Sequence, residues 1–289
     1  MTAPGILLVD KPLGPTSHDV VARVRRLAGT RRVGHAGTLD PAATGLLLLG
    51  VEGATRLLTY LVGLDKTYEA TIRLGWGTTT DDAEGLPVTA PAEVDEIVLA
   101  RVPAAVADLT GELDQVPSSV SAVHVDGRRA HELVREGQQV DLPARRVVVQ
   151  RFSVLAVRPA AAELDVVVDC SSGTYIRALA RDLGSTLGVG GHLTALRRTR
   201  VGPFAVEEAE PLEPPLRLLP PAAVASRLFP VLDLDAHAAA ELRQGKRPAV
   251  PADDAAVAAA VDPEGALVGL ARVERGRASV LMNLPQAAS

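Results

Sequence analysis

The chain has 289 residues, 47% of them apolar and 22% charged; it is long enough for about two domains and too apolar to be disordered. Its single cysteine, Cys170, excludes an internal disulfide and a multi-cysteine zinc site. The net charge of −5 speaks against a general nucleic-acid binder, yet it averages over a pattern of +3 in residues 1–60, −8 in residues 69–115 and +5 in residues 145–206.

In chain order, residues 6–9 form a short apolar strand that Asp10-Lys11-Pro12 and Gly14-Pro15 turn aside. Thr16 with Asp19 three residues on is a capping box. The helix behind it places Val20, Val24, Leu27 and Ala28 on one face, and Gly29 ends it. Arginines 23, 25, 26, 31 and 32 crowd its other face and exit. Residues 33–45 read as an irregular, glycine-punctuated loop, and 46–49 as an apolar strand. Residues 66–74 alternate, with Tyr68, Ala70, Ile72 and Leu74 on the apolar face. The acidic run 81–85 is a loop, and 93–109 a helix broken at Pro103. After a Pro/Ser/Gly loop at 115–129 comes a short helix over 130–136, then β-rich segments at 147–157 and 164–168, then a helix over 174–183. Seven prolines between residues 203 and 230 mark a linker. Beyond it, 255–261, 266–273 and 278–284 suggest hairpins. The expected organisation is a main α/β domain over 1–228, linker included, and a small, mostly β domain over 229–289.

No apolar run approaches the roughly 18 residues of a membrane span, and the N-terminus lacks the basic lead-in of a signal peptide. A soluble cytoplasmic protein, with no membrane association and no metal, is expected. The two basic stretches would attract a polyanion if folded onto one face; the plainer alternative is two separate solvated faces.

The loop Gly34-His35-Ala36-Gly37-Thr38-Leu39-Asp40-Pro41 is the most informative segment. Its glycines permit close approach to a ligand, and Pro41 holds Asp40 extended. An aspartate there suits a nucleophile or a general base; the alternative is an ordinary turn aspartate. Residues Ser171–Arg177 lie at a strand-to-helix junction where Ser172 or Thr174 can cap and an anion is favoured. Arg177 and Arg181 sit one turn apart, away from the apolar face, able to pair with a carboxylate or phosphate or simply with Asp182. Tyr68 by pattern alone is a core residue, and Cys170 a small buried one.

Six segments change this weighting: GILLVDKPLGPTSHDVV, GHAGTLDPAATGLLLLG, DKTYEATIRLGWGTTTDDAEG, QVPSSVSAVHVDGRRAHELVREG, CSSGTYIRALARDLG and GHLTALRRTRVGPF, spanning residue 5 to about 204. In this order they resemble the bacterial tRNA pseudouridine(55) synthases of the TruB type. The resemblance implies an α/β (α+β) catalytic domain with a mixed, largely antiparallel sheet and a small PUA-like RNA-binding domain. It implies isomerisation of one uridine in the T loop of tRNA, with no cofactor and no protein partner; a monomer is expected. By resemblance Asp40 is the catalytic aspartate, Tyr68 stacks on the target base and Arg177 pairs with the aspartate. His35 fills the gap left by extruded bases, and Leu196 is an apolar wall of the uracil pocket. Tyr175, Lys11 and Asp82, within the matching segments, complete the substrate-binding candidates.

These roles fit the chemistry. A base in folded RNA must be extruded before C5 is reached, which costs a few kcal/mol and needs a stacking surface. Breaking the glycosidic bond needs an anion near the ribose carbon, and an arginine partner keeps a carboxylate ionised. Asp40 as nucleophile and Asp40 as base at C2′ both remain open. Two departures fall in residues 115–137, where His124 replaces a usual lysine and His131 a usual aromatic. An RNA chaperone would share the basic patches but needs no Asp40–Tyr68–Arg177 set. A glycosidase would need a second acid, and the Asp40 loop offers none nearby in sequence.

Overall fold

A computed structural model describes residues 3–118, 124–125, 128–129, 142–210 and 212–285. The strands are, in chain order, β1 (Gly5–Lys11), β2 (Val33–Ala36), β3 (Ala43–Val51), β4 (Lys66–Leu74), β5 (Gly111–Gln115), β6 (His124–Val125) and β7 (Arg128–Arg129). They continue with β8 (Arg145–Arg158), β9 (Glu163–Cys170), β10 (Gly191–Val201), β11 (Phe204–Ala205), β12 (Val231–Asp233), β13 (Ala255–Val261), β14 (Leu267–Glu274) and β15 (Arg277–Asn283). The chain forms two compact units, one of Met1–Pro41, Gly45–Val62 and Pro203–Ser289, the other of Ala42–Thr44 and Gly63–Gly202. Among the described residues no helix is long and apolar enough to cross a membrane.

In the first unit β3 pairs antiparallel with β1 and with β2. Buried on both faces, it reads as a continuous apolar run, Leu46-Leu47-Leu48-Leu49. Helix α1 (Ser17–Ala28) starts where expected: Thr16 and Asp19 close a reciprocal capping box, and Gly29 ends the helix in the left-handed region at φ 64°. Its buried face is Ser17, Val20, Val21, Val24 and Ala28.

Two expectations here are corrected. Residues 33–45 are not one irregular loop: 33–36 form β2 and 43–45 open β3, leaving only 37–42 between strands. The proline-rich stretch 203–230 is not a bare linker. Ile6 and Leu219 exchange backbone hydrogen bonds (3.0 and 2.8 Å), and the Glu210 N–H donates to the Leu8 carbonyl at 3.1 Å. The stretch thus covers an edge of β1, using the N–H groups of residues between the prolines. Phe204, Val224 and Ala225 are buried within the same unit. Pro203–Ser289 thus belongs to the same compact unit as β1. The C-terminal residues still have their own sheet, with β12 parallel to β13 and β13, β14 and β15 antiparallel. That sheet shares a core of small residues, including Ala238, Ala239, Ala258, Ala260, Ala271 and Ala278, with the helix Ala236–Arg243.

In the second unit the strand order is β10-β4-β9-β8-β5, with every neighbouring pair antiparallel. β4 spans the alternating stretch, and Tyr68, Ala70, Ile72 and Leu74 are buried as the pattern requires. The helix Glu96–Asp108 runs through Pro103 rather than breaking there. Pro103 lies on its exposed side. The helix Ile176–Leu187 lies tight against the start of β10. A Cβ on Gly184 would meet the Gly190 carbonyl carbon at 2.1 Å, so only glycine permits this approach. The expected helix over 130–136, His131 and the side chain of His124 fall outside the described residues; β6 and β7 pair antiparallel.

Candidate active site

The first unit presents Asp40 on a clamped loop. Ser17, the first residue of α1, is buried; its Oγ donates to the Leu39 carbonyl and accepts from the Leu39 N–H, both at 2.9 Å. On the other side of Asp40, the Pro41 carbonyl accepts from the Gly14 N–H at 2.9 Å and from Lys11 Nζ at 3.5 Å. The same ammonium donates to the carbonyls of Pro12 (3.0 Å) and Pro15 (2.9 Å) and is fully buried, beneath the loop rather than on a surface. Both neighbours of Asp40 are therefore fixed through their backbones. His35 stands on β2 just before this loop, its ring edge-on to His18 of α1 at 5.5 Å between centroids.

The second unit presents Tyr68, buried on β4. Arg198 of β10 lies directly opposite it, and Leu196 lies opposite Ala70. Opposed residues share a face of an antiparallel pair, with Cβ atoms about 5 Å apart and diagonal neighbours at about 7–8 Å. The phenol ring, the Leu196 side chain and the buried Arg198 guanidinium thus belong to one face. A register shift between Arg198 and Arg200 sends Arg200 to the opposite face, where its Nε donates to Thr67 Oγ1 at 2.8 Å and its guanidinium pairs with Asp169. The bulge so separates two arginines that simple alternation would place together.

Lys66, two residues before Tyr68 and on the same face, donates from Nζ to the Leu64 carbonyl (2.5 Å) and to Ser172 Oγ (3.1 Å). Burial, reinforced by the Arg198 charge, pulls its pKa down to about 8. Cys170 faces it from β9, wholly buried as expected, and burial pushes its thiol up to about 11.

The junction before the helix Ile176–Leu187 differs from expectation in its cap and in its arginines. Tyr175 is the N-cap, without a side-chain cap bond from Ser172 or Thr174. The buried Gln115 amide brackets it instead: the Tyr175 N–H donates to Oε1 (2.8 Å), and Nε2 donates to the Tyr175 carbonyl (3.1 Å). Arg177 is not on an exposed side. It is buried, donates to the Thr80 carbonyl at 3.0 Å and pairs with Asp82 at 3.5 Å. Asp82 is buried too, held by Thr80 Oγ1 and by the Glu84 N–H (3.1 Å). Arg181 pairs with Asp81 at 3.2 Å and with Asp182 at 2.8 Å. Asp81 also accepts from the buried Ser118 hydroxyl at 2.6 Å and is held at φ 59°, a left-handed conformation an aspartate tolerates better than most residues. The acidic run is a loop, as expected, and its Asp81 and Asp82 are buried acceptors for two arginines.

The structure thus gathers Tyr68 and Leu196 on one sheet face and joins Arg177 to Asp82. Sequence reasoning passed over Ser17, Gln115 and Asp81. Only Ser17 carried a signal, as the residue following a capping-box threonine.

Residues 25–176 match the TruB family pseudouridylate synthase N-terminal domain, and residues 177–213 the tRNA pseudouridylate synthase B C-terminal domain. A tRNA pseudouridine synthase B of Leifsonia xyli subsp. xyli (strain CTCB07) is 54% identical over 99% of this chain and 98% of its own length. One from Mycobacterium sp. (strain KMS) is 57% identical over 92% and 91%. Among solved structures, a Cbf5-Nop10-Gar1 complex contains a chain of similar fold, with a TM-score of 0.71 and 25% identity over 98% of this chain and 84% of that one. The chain belongs to the TruB family of pseudouridylate synthases.

Proposed function

We propose that this protein isomerises uridine 55 in the T loop of tRNA to pseudouridine. The observation that carries this reading is the identity of more than half, over nine tenths of the chain or more, with relatives named tRNA pseudouridine synthase B. In the reaction the N1–C1′ bond breaks, the uracil turns, C5 bonds to C1′, and the C5 proton is replaced by one on N1. Nothing is gained or lost, so no cofactor is required.

Asp40 supplies the anion that the ribose carbon or its 2′ neighbour needs. The clamp on Leu39 and Pro41 supports this role, because a catalytic carboxylate must be held in position. Tyr68 stacks on the extruded uracil with Leu196 as a neighbouring wall, which their common sheet face supports. Arg177 is the partner of the reacting carboxylate, with Asp82 and Thr80 orienting its guanidinium. His35 fills the gap in the loop stack, Tyr175 contacts the nucleotide from the N-cap, and Lys11 serves the substrate through the loop it supports. Residues 1–228 hold the chemistry and 229–289 a PUA-like RNA-binding module, a division that the separate C-terminal core supports. The reading also has the protein act as a monomer in the cytoplasm, where tRNA is matured. Treating unmodified tRNA with the protein and labelling it chemically for pseudouridine tests the assignment: a label at uridine 55 bears it out, and unlabelled tRNA overturns it.

A further inference from the structure

We propose that Ser17 is a positioning residue for the reaction, holding the Asp40 carboxylate in its working place through the Leu39 peptide; this rests on the reading of Asp40 as the reacting carboxylate. Ser17 Oγ bonds both polar groups of one residue, donating to the Leu39 carbonyl and accepting from the Leu39 N–H, each at 2.9 Å. Two bonds from one atom constrain the peptide planes on both sides of Leu39, and with them the direction in which the chain enters Asp40. The Leu39 side chain is buried as well, so the residue cannot swing about this clasp.

Ser17 owes its place to the helix start. Thr16 and Asp19 cap α1, with the Asp19 N–H donating to Thr16 Oγ1 at 3.0 Å and the Thr16 N–H donating to Asp19 Oδ2 at 2.9 Å. The capped first turn turns Ser17 inward, where it is 1% exposed. A buried, neutral hydroxyl with its donor and one acceptor position engaged by Leu39 has no surface to offer RNA, so its effect reaches the reaction only through the loop. Removing it leaves two buried peptide groups without this partner, and the loop must shift to satisfy them. Displacements of about 1 Å at a reacting group cost about 100-fold in rate.

The test compares the full-length protein with Ser17→Ala, Ser17→Cys and Asp40→Asn on unmodified tRNA at one salt concentration, well below the melting temperature of each. Single-turnover rate, tRNA affinity and melting temperature are read for each variant. Cysteine fills the serine site but hydrogen-bonds weakly, so it separates the clasp from simple packing should the alanine variant fail to fold. The expected result is a single-turnover rate about 100-fold down in both serine variants, with tRNA affinity within about threefold of wild type. A folded serine variant within about threefold of the wild-type rate overturns the proposal, as does one whose affinity falls as far as its rate. Turnover by Asp40→Asn overturns the underlying reading of Asp40 instead, whatever the serine variants do.

Discussion

Arg177 and Asp82, 95 residues apart in sequence, meet as a buried pair at 3.5 Å, and the same Nη1 of Arg177 donates to the Thr80 carbonyl at 3.0 Å. With Nη1 engaged by both groups, the planar guanidinium has a set orientation that a lysine ammonium cannot reproduce.

Arg177→Lys is therefore expected to lower single-turnover pseudouridine formation by about tenfold or more, a barrier change of about 1.4 kcal/mol, with tRNA affinity little changed. A lysine variant as fast as wild type would show that only a nearby positive charge is needed.

Tyr68 separates into ring and hydroxyl. Base–aromatic stacking is worth about 1–3 kcal/mol, so Tyr68→Leu should lose affinity for T-arm RNA as well as rate. Tyr68→Phe keeps the ring and is expected to bind like wild type while reacting far more slowly, because the hydroxyl is a candidate carrier for the C5 proton. Equal affinities for the leucine and phenylalanine variants would mean that the ring only packs the core.

Much of the framework was legible in the sequence, for local reasons. Thr16, Asp19 and Gly29 are start and stop signals lying within α1 itself, and β4 announces itself by alternation. Two of the misreadings share one cause, partners distant in the chain. The helix Ile176–Leu187 buries five successive residues, Ile176 to Ala180, so its apolar stripe does not mark the exposed side, and Arg177 is covered because Asp82 waits for it. The prolines of 203–230 signal an extended chain correctly, but only the edge of β1 explains why that chain is pinned. The Asp40 loop was recognisable from its residues, while the clasp by Ser17 required the fold.

Gly184→Ala tests the closeness of helix and sheet. Its methyl would overlap the backbone of Gly190 and Gly191, which cannot move aside as a flexible side chain can. The expected loss is about 1–3 kcal/mol in urea unfolding, seen as a lower midpoint at unchanged slope. An unchanged midpoint would mean that the helix sits farther from β10.

Lys66 makes stability depend on pH in a defined direction. Its folded pKa, about 8, lies below the ordinary 10.5, so burial of the charge costs stability in full below pH 8. Between about 8 and 10.5 the unfolded chain binds more protons than the folded one, and this penalty is relieved as pH rises. Relative to Lys66→Met, the wild-type melting temperature should therefore climb across that window. Parallel curves for the two proteins would place the ammonium in water.

The most direct measurement is site-resolved labelling of unmodified tRNA after treatment with the wild-type protein and with Asp40→Asn. The amide keeps the shape of the side chain but cannot serve as the anion. The expected result is pseudouridine at uridine 55 with the wild type and none with the variant, although the variant still binds the tRNA. Pseudouridine formed by Asp40→Asn within about tenfold of the wild-type rate, a barrier change of only about 1.4 kcal/mol, would contradict the assignment of the reaction to the Asp40 carboxylate.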